Sequence, residues 1–240
     1  MKTQKKKSLV LGILLVSALF LSINLIFADP TGPSSITYNS NETKTTDSAI
    51  MVNISGGYIA DIDITAEVQN TKWKALIGNV NGKFTLEDAS GSTIYDWSLS
   101  VTSGRVYATR NSSTIQWSSI ACSSTANLES ENTALSHSSI SDNITKTFND
   151  TTHGTFWVGS TNIVANSCPT LNTYVNNASQ DTDFEEMALY DGASIVYATI
   201  MEDNEVGYDG GSYDFQMLIP ENGSSGFSGA TAYYMYVELN

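Results

Sequence analysis

The chain has 240 residues, 41% hydrophobic and 10% aromatic, with 11 basic residues against 25 acidic ones for a net charge of −14. That apolar content excludes a disordered polyelectrolyte. The acidity excludes nucleic-acid binding, which draws its affinity from lysines and arginines that displace counterions from phosphates, and it disfavours anionic lipid surfaces.

The N-terminus carries Lys2, Lys5, Lys6 and Lys7, followed by an apolar run from Leu9 to Phe27 broken only by Gly12, Ser17, Ser22 and Asn24. Ala28 then precedes Asp29 and Pro30. A basic start, an apolar core and a small residue before a polar segment predict a secretory signal peptide over residues 1–28, cut after Ala28. The run is close to the roughly 20 residues that span a bilayer, so a retained anchor is the alternative. Either reading places Asp29 onward outside the cytoplasmic membrane. Without the four N-terminal lysines the chain carries 7 basic and 25 acidic residues, a net of −18. The 212 residues from Asp29 to Asn240 are enough for one domain with a sizeable core.

Residues 29–48 are rich in Thr, Ser and Asn, with Ile36 and Tyr38 the main apolar residues, and read as a flexible polar leader. A β-rich body is predicted over 49–240. Ile50, Val52 and Ile54 alternate, Gly56 and Gly57 interrupt, and Ile62, Ile64, Ala66 and Val68 alternate again, which is the pattern of half-buried strands. Trp73, Ala75 and Ile77 continue it up to a turn at Asn81–Gly82. Phe84 and Leu86 lead to Ser90–Gly91, and Ile94 to Trp97 follows. Val106 and Tyr107 come after Ser103–Gly104, and Ile115 and Trp117 close the series. Short strands at about ten-residue spacing with glycine turns predict a mainly β fold, a β-sandwich or two packed β modules. Over 125–148 the period weakens and a short α-helical insertion is expected. One helix is predicted from Thr125 to Leu135, and a second capped by Ser141 or Asp142 with Ile144 and Phe148 on one face. Strands return at Glu186 to Tyr190 and Ser194 to Met201 around an Asp191–Gly192 turn, at Tyr213 to Ile219, and at Tyr233 to Leu239. No apolar stretch follows, so no C-terminal anchor is expected.

The cysteines are Cys122 and Cys168, and in an oxidising exterior an even pair is expected to form one disulfide. Asn-x-Ser/Thr occurs at Asn41, Asn53, Asn111, Asn143, Asn149, Asn177 and Asn222, and glycosylation of an exported chain is expected at some of them. Catalytic constellations are sparse. His137 and His153 are the two histidines, no HExxH, G-x-S-x-G or phosphate-binding loop occurs, and the pairs Glu87–Asp88 and Glu185–Glu186 with Asp96 read as solvated acids. Asp203, Glu205, Asp209 and Asp214 lie among glycines, a composition suited to a calcium site or to a plain acidic turn. Trp73, Trp97, Trp117 and Trp157 are expected in the core rather than on a sugar-binding platform.

The stretch Trp73 to Trp117, with Gly78-Asn79-Val80, Ile94-Tyr95-Asp96-Trp97 and Gly104 to Ala108, and the ending Asp214 to Pro220 with Tyr233 to Leu239, resemble a group of uncharacterised archaeal exported proteins. The likeness covers most of the chain from Asp29 and implies a β-rich cell-surface protein, with no activity to carry over. A polar leader before an all-β body is also loosely similar to extracellular filament subunits that exchange strands, a likeness of fold alone. The expectation is a non-enzymatic structural subunit, extracellular or on the cell surface, associating with itself or with surface proteins and glycans. The alternative is a secreted carbohydrate-binding or adhesion module. No cofactor is expected apart from the calcium candidate.

Overall fold

A computed structural model of the chain describes residues 28–99 and 102–240, so the signal peptide expected over 1–28 lies, but for Ala28, outside the described residues. Fourteen strands follow in chain order among the described residues. They are β1 (Trp73–Gly78), β2 (Lys83–Glu87), β3 (Thr93–Ser98), β4 (Gly104–Thr109), β5 (Ala121–Cys122), β6 (Phe156–Val158), β7 (Thr161–Ile163), β8 (Thr170–Val175), β9 (Ser179–Tyr190), β10 (Ile195–Ile200), β11 (Glu205–Val206), β12 (Ser212–Tyr213), β13 (Phe215–Pro220) and β14 (Tyr234–Leu239). Helices α1 (Thr125–Ala134) and α2 (Ile144–Thr147) lie between β5 and β6, where the α insertion was expected. The fold is mainly β.

The central sheet is antiparallel, in the order β14-β4-β10-β9-β5, with β8 also pairing with β9. Its middle strands are buried on both faces, and β4 is buried along its whole length. The pleat sends alternate residues to opposite sides. Val106, Ala108, Tyr197 and Ala188 lie in one core cluster with Met217 and Ile219 of β13 and with Leu128, Leu135, Ile144 and Phe148 of the helical segment. Tyr107, Val196, Ala198, Met187 and Leu189 lie in a second cluster with Trp117, Phe156, Val158, Ile163 and Cys168. The β1–β13 ladder with the helices thus covers one face, and the β6–β7 hairpin with the Trp117 loop covers the other, a sandwich-like arrangement.

Local chemistry explains the elements that position these layers. Ser124 starts α1 with a reciprocal cap, its side chain accepting from Asn127 N while the Asn127 side chain accepts from Ser124 N. The second helix is capped by Asn143, which accepts from Lys146 N, and not by Ser141 or Asp142. Asp142 instead accepts from Asn70 and Lys72 through its side chain and from the Trp73 indole through its carbonyl. The β9–β10 connection turns at Gly192, φ 96°, with Asp191 accepting from Ala193 N and Ser194 N. Ile115 and Trp117 do not form a strand; Trp117 opens a one-turn 3-10 helix and packs 5.2 Å from Tyr107 and 5.3 Å from Tyr236.

The largest departure from expectation is at the start of the body. Residues 49–71 form no strand. Ile50, Val52, Ile54, Ile62, Ile64 and Val68 are 58–91% exposed, whereas the sequence pattern predicted them half-buried. The physical reason is that alternation specifies a strand's two faces and not its neighbour, and no strand of the described chain pairs with this segment. The leader is tied down where Thr31 and Val237 exchange backbone hydrogen bonds of 3.0 and 2.8 Å on the outer edge of β14, and again where Asn41 accepts from Lys74 of β1. Pro30 and Pro33 flank that bridge, and a strand cannot donate ladder bonds through proline.

Candidate functional site

Each residue set singled out in the sequence has a definite place. Cys122 and Cys168 form a disulfide that joins β5 to the segment preceding β8. His153 is buried; its Nε2 accepts from Ser167 N and Cys168 N, so Nδ1 carries the proton and donates to the Gly154 carbonyl at 2.6 Å. His137 donates from Nε2 to the Glu221 carbonyl and meets the Trp73 ring edge-on. Both histidines brace loops.

The acids are dispersed. Asp88 organises the turn after β2 by accepting from Ser90 and Ser92, and Asp96 pairs with Lys83 at 2.6 Å. Glu87 accepts from the Thr93 hydroxyl, and Glu185 accepts from Gly154 N. Glu186 is wholly buried on the face under β13, where one oxygen accepts from Leu218 N at 2.6 Å and the other has no hydrogen-bond partner. Burial pushes its carboxyl well above the usual range. Of the calcium candidates, Asp203 accepts from Thr102 N, Glu205 from Val206 N, and Asp209 from Gly211 N and the Tyr213 hydroxyl. Asp214 accepts from Val80 N and Asn204 N. Each carboxylate orders a separate stretch of loop, and among the described residues no three His, Cys, Asp or Glu side chains converge as a metal site.

Of the sequons, Asn41, Asn53, Asn149 and Asn177 are exposed, while Asn111, Asn143 and Asn222 are half-buried and hydrogen-bonded in turns or the α2 cap. A cleft of about 310 Å³ lies beside α1, lined by Arg110, Asn111, Ser130, Glu131 and Tyr190. It falls at the lower end of the ligand-pocket range of about 300–1,000 Å³, and its charged groups are spent on each other, Arg110 donating twice to Glu131 at 2.7 Å.

Two surface features stand apart. One is the segment 50–68 with its exposed alternating aliphatics. The other is the β2–β3 hairpin, a two-stranded sheet in which all strand residues are exposed. Its register places Phe84 opposite Trp97 and Leu86 opposite Tyr95, so these four share one face. The opposite face carries Lys83, Thr85, Glu87, Thr93, Asp96 and Ser98. A bulge after Leu86 leaves Ile94 unpaired and 80% exposed. The core placement expected for all four tryptophans is therefore corrected. Trp117 is buried and Trp73 half-buried, but Trp97 and Trp157 are 49% and 39% exposed. The period-two signal for the hairpin is plain in the sequence, and what it lacks is any cue that the apolar face has no partner within the chain.

The fold and these surfaces define a disulfide-braced, mainly β protein that presents an exposed two-stranded hairpin and an exposed segment of alternating aliphatic residues. Comparison with protein-family models, curated proteins and solved structures finds no match. Among the described residues no helix is long and apolar enough to cross a membrane.

Proposed function

We propose that the protein is an exported structural subunit of the cell surface, building a filament, pilus-like fibre or surface layer by β-strand pairing between copies. The observation that carries this reading is the segment 50–68. Six β-branched residues at strand spacing stand 58–91% exposed and join no strand. Leaving such a segment unpaired is an aggregation liability that native proteins normally suppress, so its presence points to a partner strand supplied from outside the chain. The N-terminal pattern and the disulfide fit an extracellular location. A second reading, a glycan-binding or adhesion module, draws on Tyr95 and Trp97, exposed neighbours with ring centroids 4.8 Å apart. Their planes are inclined by 60°, which does not make the flat platform that stacks on a sugar ring.

The test is sedimentation velocity and negative-stain electron microscopy of residues 29–240 and of the same chain lacking 49–68, at low and high salt. The expected result is filaments or sheets from the longer chain alone, favoured by salt, since screening relieves the repulsion between copies carrying −18 each. A monodisperse monomer from both chains at every salt concentration sinks the assembly reading and moves the binding module to first place.

A further inference from the structure

The β2–β3 hairpin is half of a structure. A lone two-stranded hairpin is marginal in water, and a third strand in the same sheet, sharing its apolar face, is what ordinarily stabilises it. Here that face is ready-made: Phe84, Leu86, Tyr95 and Trp97 are 44–59% exposed in two directly opposed cross-strand pairs. Among the described residues no strand pairs with either outer edge. The same chain carries a segment of matching grammar. Ile62, Ile64, Ala66 and Val68 fall on one side at two-residue steps, with Asp61, Asp63, Thr65 and Glu67 on the other.

Resting on the assembly reading above, we infer that residues Ile62–Val68 of one copy add as a third strand to the outer edge of β2 in a second copy. Three observations direct this choice. First, the polar face along β2 carries Lys83 against Glu87, which balance, whereas the polar face along β3 carries Asp96 with no base, so an acidic strand is repelled less on the β2 side. Second, the two features leave opposite ends of β1. The root of the arm is pinned at Asn70 and Lys72, both bound to Asp142. The root of the hairpin is pinned at Val80, bound to Asp214, and at Gly82, packed on Leu239. The six residues of β1 separate these roots by roughly 17 Å at about 3.3 Å per residue, and within the chain itself the arm joins neither edge of the hairpin, so the copy that receives it is a second one. Third, the lengths match: β2 runs five residues and the arm from Ile62 to Val68 covers that length, so backbone hydrogen bonds carry the pairing and set the arm's aliphatics beside Phe84 and Leu86 as a continuation of one apolar face. The pairing is heterologous, arm to hairpin, so it propagates from copy to copy and need not close.

Two exposed substitutions test it by complementation. Leu86→Asp spoils the hairpin and leaves the arm intact; Ile64→Asp spoils the arm and leaves the hairpin intact. Both sites are exposed, and circular dichroism checks that each variant keeps the native fold. Each variant alone is expected to need at least about tenfold more protein to assemble in sedimentation velocity. Mixed in equal amounts, the two retain one good arm and one good hairpin and are expected to form a heterodimer that grows no further. Assembly of both variants at the wild-type concentration overturns the hairpin as acceptor while leaving the assembly reading intact. So does a mixture that stays monomeric. A wild-type chain that never assembles overturns both.

Discussion

Replacing both cysteines, Cys122→Ala with Cys168→Ala, tests how the two-faced core is held. The bond spans 46 positions in sequence and encloses α1, α2 and the β6–β7 hairpin, which together supply parts of both covering layers. Opening a loop of that length returns to the unfolded chain a conformational entropy worth about 4 kcal/mol at 25 °C. The native contacts of the loop remain. Leu128, Ile144, Phe156, Val158 and Ile163 stay buried, and Asp150 and Thr170 keep their paired backbone hydrogen bonds. The loss therefore acts through the unfolded state, against a total that for ordinary domains is only about 5–15 kcal/mol. The assay is urea unfolding followed by tryptophan fluorescence, since Trp117 lies in the core against Tyr107 and Tyr236. With a slope of about 2 kcal/mol per molar, the midpoint falls by about 2 M. Reduced wild-type protein should unfold with the double variant. A loss under about 1 kcal/mol with an unchanged slope refutes the argument, because it means the enclosed segment is already ordered or already lost without the bond.

Two further substitutions probe the central sheet. Glu186 binds its proton more tightly folded than unfolded, because burial raises its carboxyl above the ordinary value of 4.5. Its stabilising contribution is therefore full below pH 4.5 and is lost as the pH climbs toward the folded value. Glu186→Gln removes that slope. Thermal melts should show the variant equal to wild type near pH 4 and more stable at pH 8 by about 1–3 kcal/mol, the usual cost of a buried polar atom without a partner; parallel pH profiles overturn this. Gly104 sits at φ 141°, where an added Cβ would lie 1.8 Å from the Glu238 carbonyl oxygen on the paired strand β14. Gly104→Ala should cost at least about 3 kcal/mol and lower the melting temperature by about 10 °C; a drop of under about 3 °C contradicts the strain assigned there.

How much was legible in the sequence follows from what local pattern encodes. The strands from Trp73 to Trp97 and from Val106 to Tyr107, the Asp191–Gly192 turn and the closing strand were readable because period two and turn glycines are local signals. The cysteine pair was readable by parity, and α1 by the loss of alternation from Thr125 to Leu135. Partner choice was not readable. Ile62, Ile64 and Val68 carry the same grammar as Val106 and Ala108, yet the former are exposed and the latter buried. Trp97 and Trp117 look alike in sequence and differ only in whether another layer lies over them. Asn143 was read as a glycosylation candidate when its backbone position also makes it the α2 cap. Each of these depends on tertiary neighbours, which a pattern along the chain does not name.

The buried network at the β14 edge shows why the body of the sheet is a poorer place for exchange than the hairpin. Tyr107 donates to Glu238 at 2.5 Å, Gly159 N donates to the same carboxylate, and Arg105 lies 3.6 Å from it while donating to Asn240. The Glu238 carboxylate sits on β14 and its partners on β4 and the β6–β7 turn, so peeling β14 away strands a buried carboxylate and a buried guanidinium, a costly outcome. Outside that strand, Thr31 already holds Val237, and the prolines on either side stop the bridge from lengthening into a strand. The sheet is closed against newcomers at the edge where it is most heavily braced. The hairpin has neither safeguard: its edges are unflanked by proline, its apolar face is bare, and no buried charge depends on its present pairing. On the assembly reading proposed above, a chain that protects one edge and leaves another open would pair at the open one.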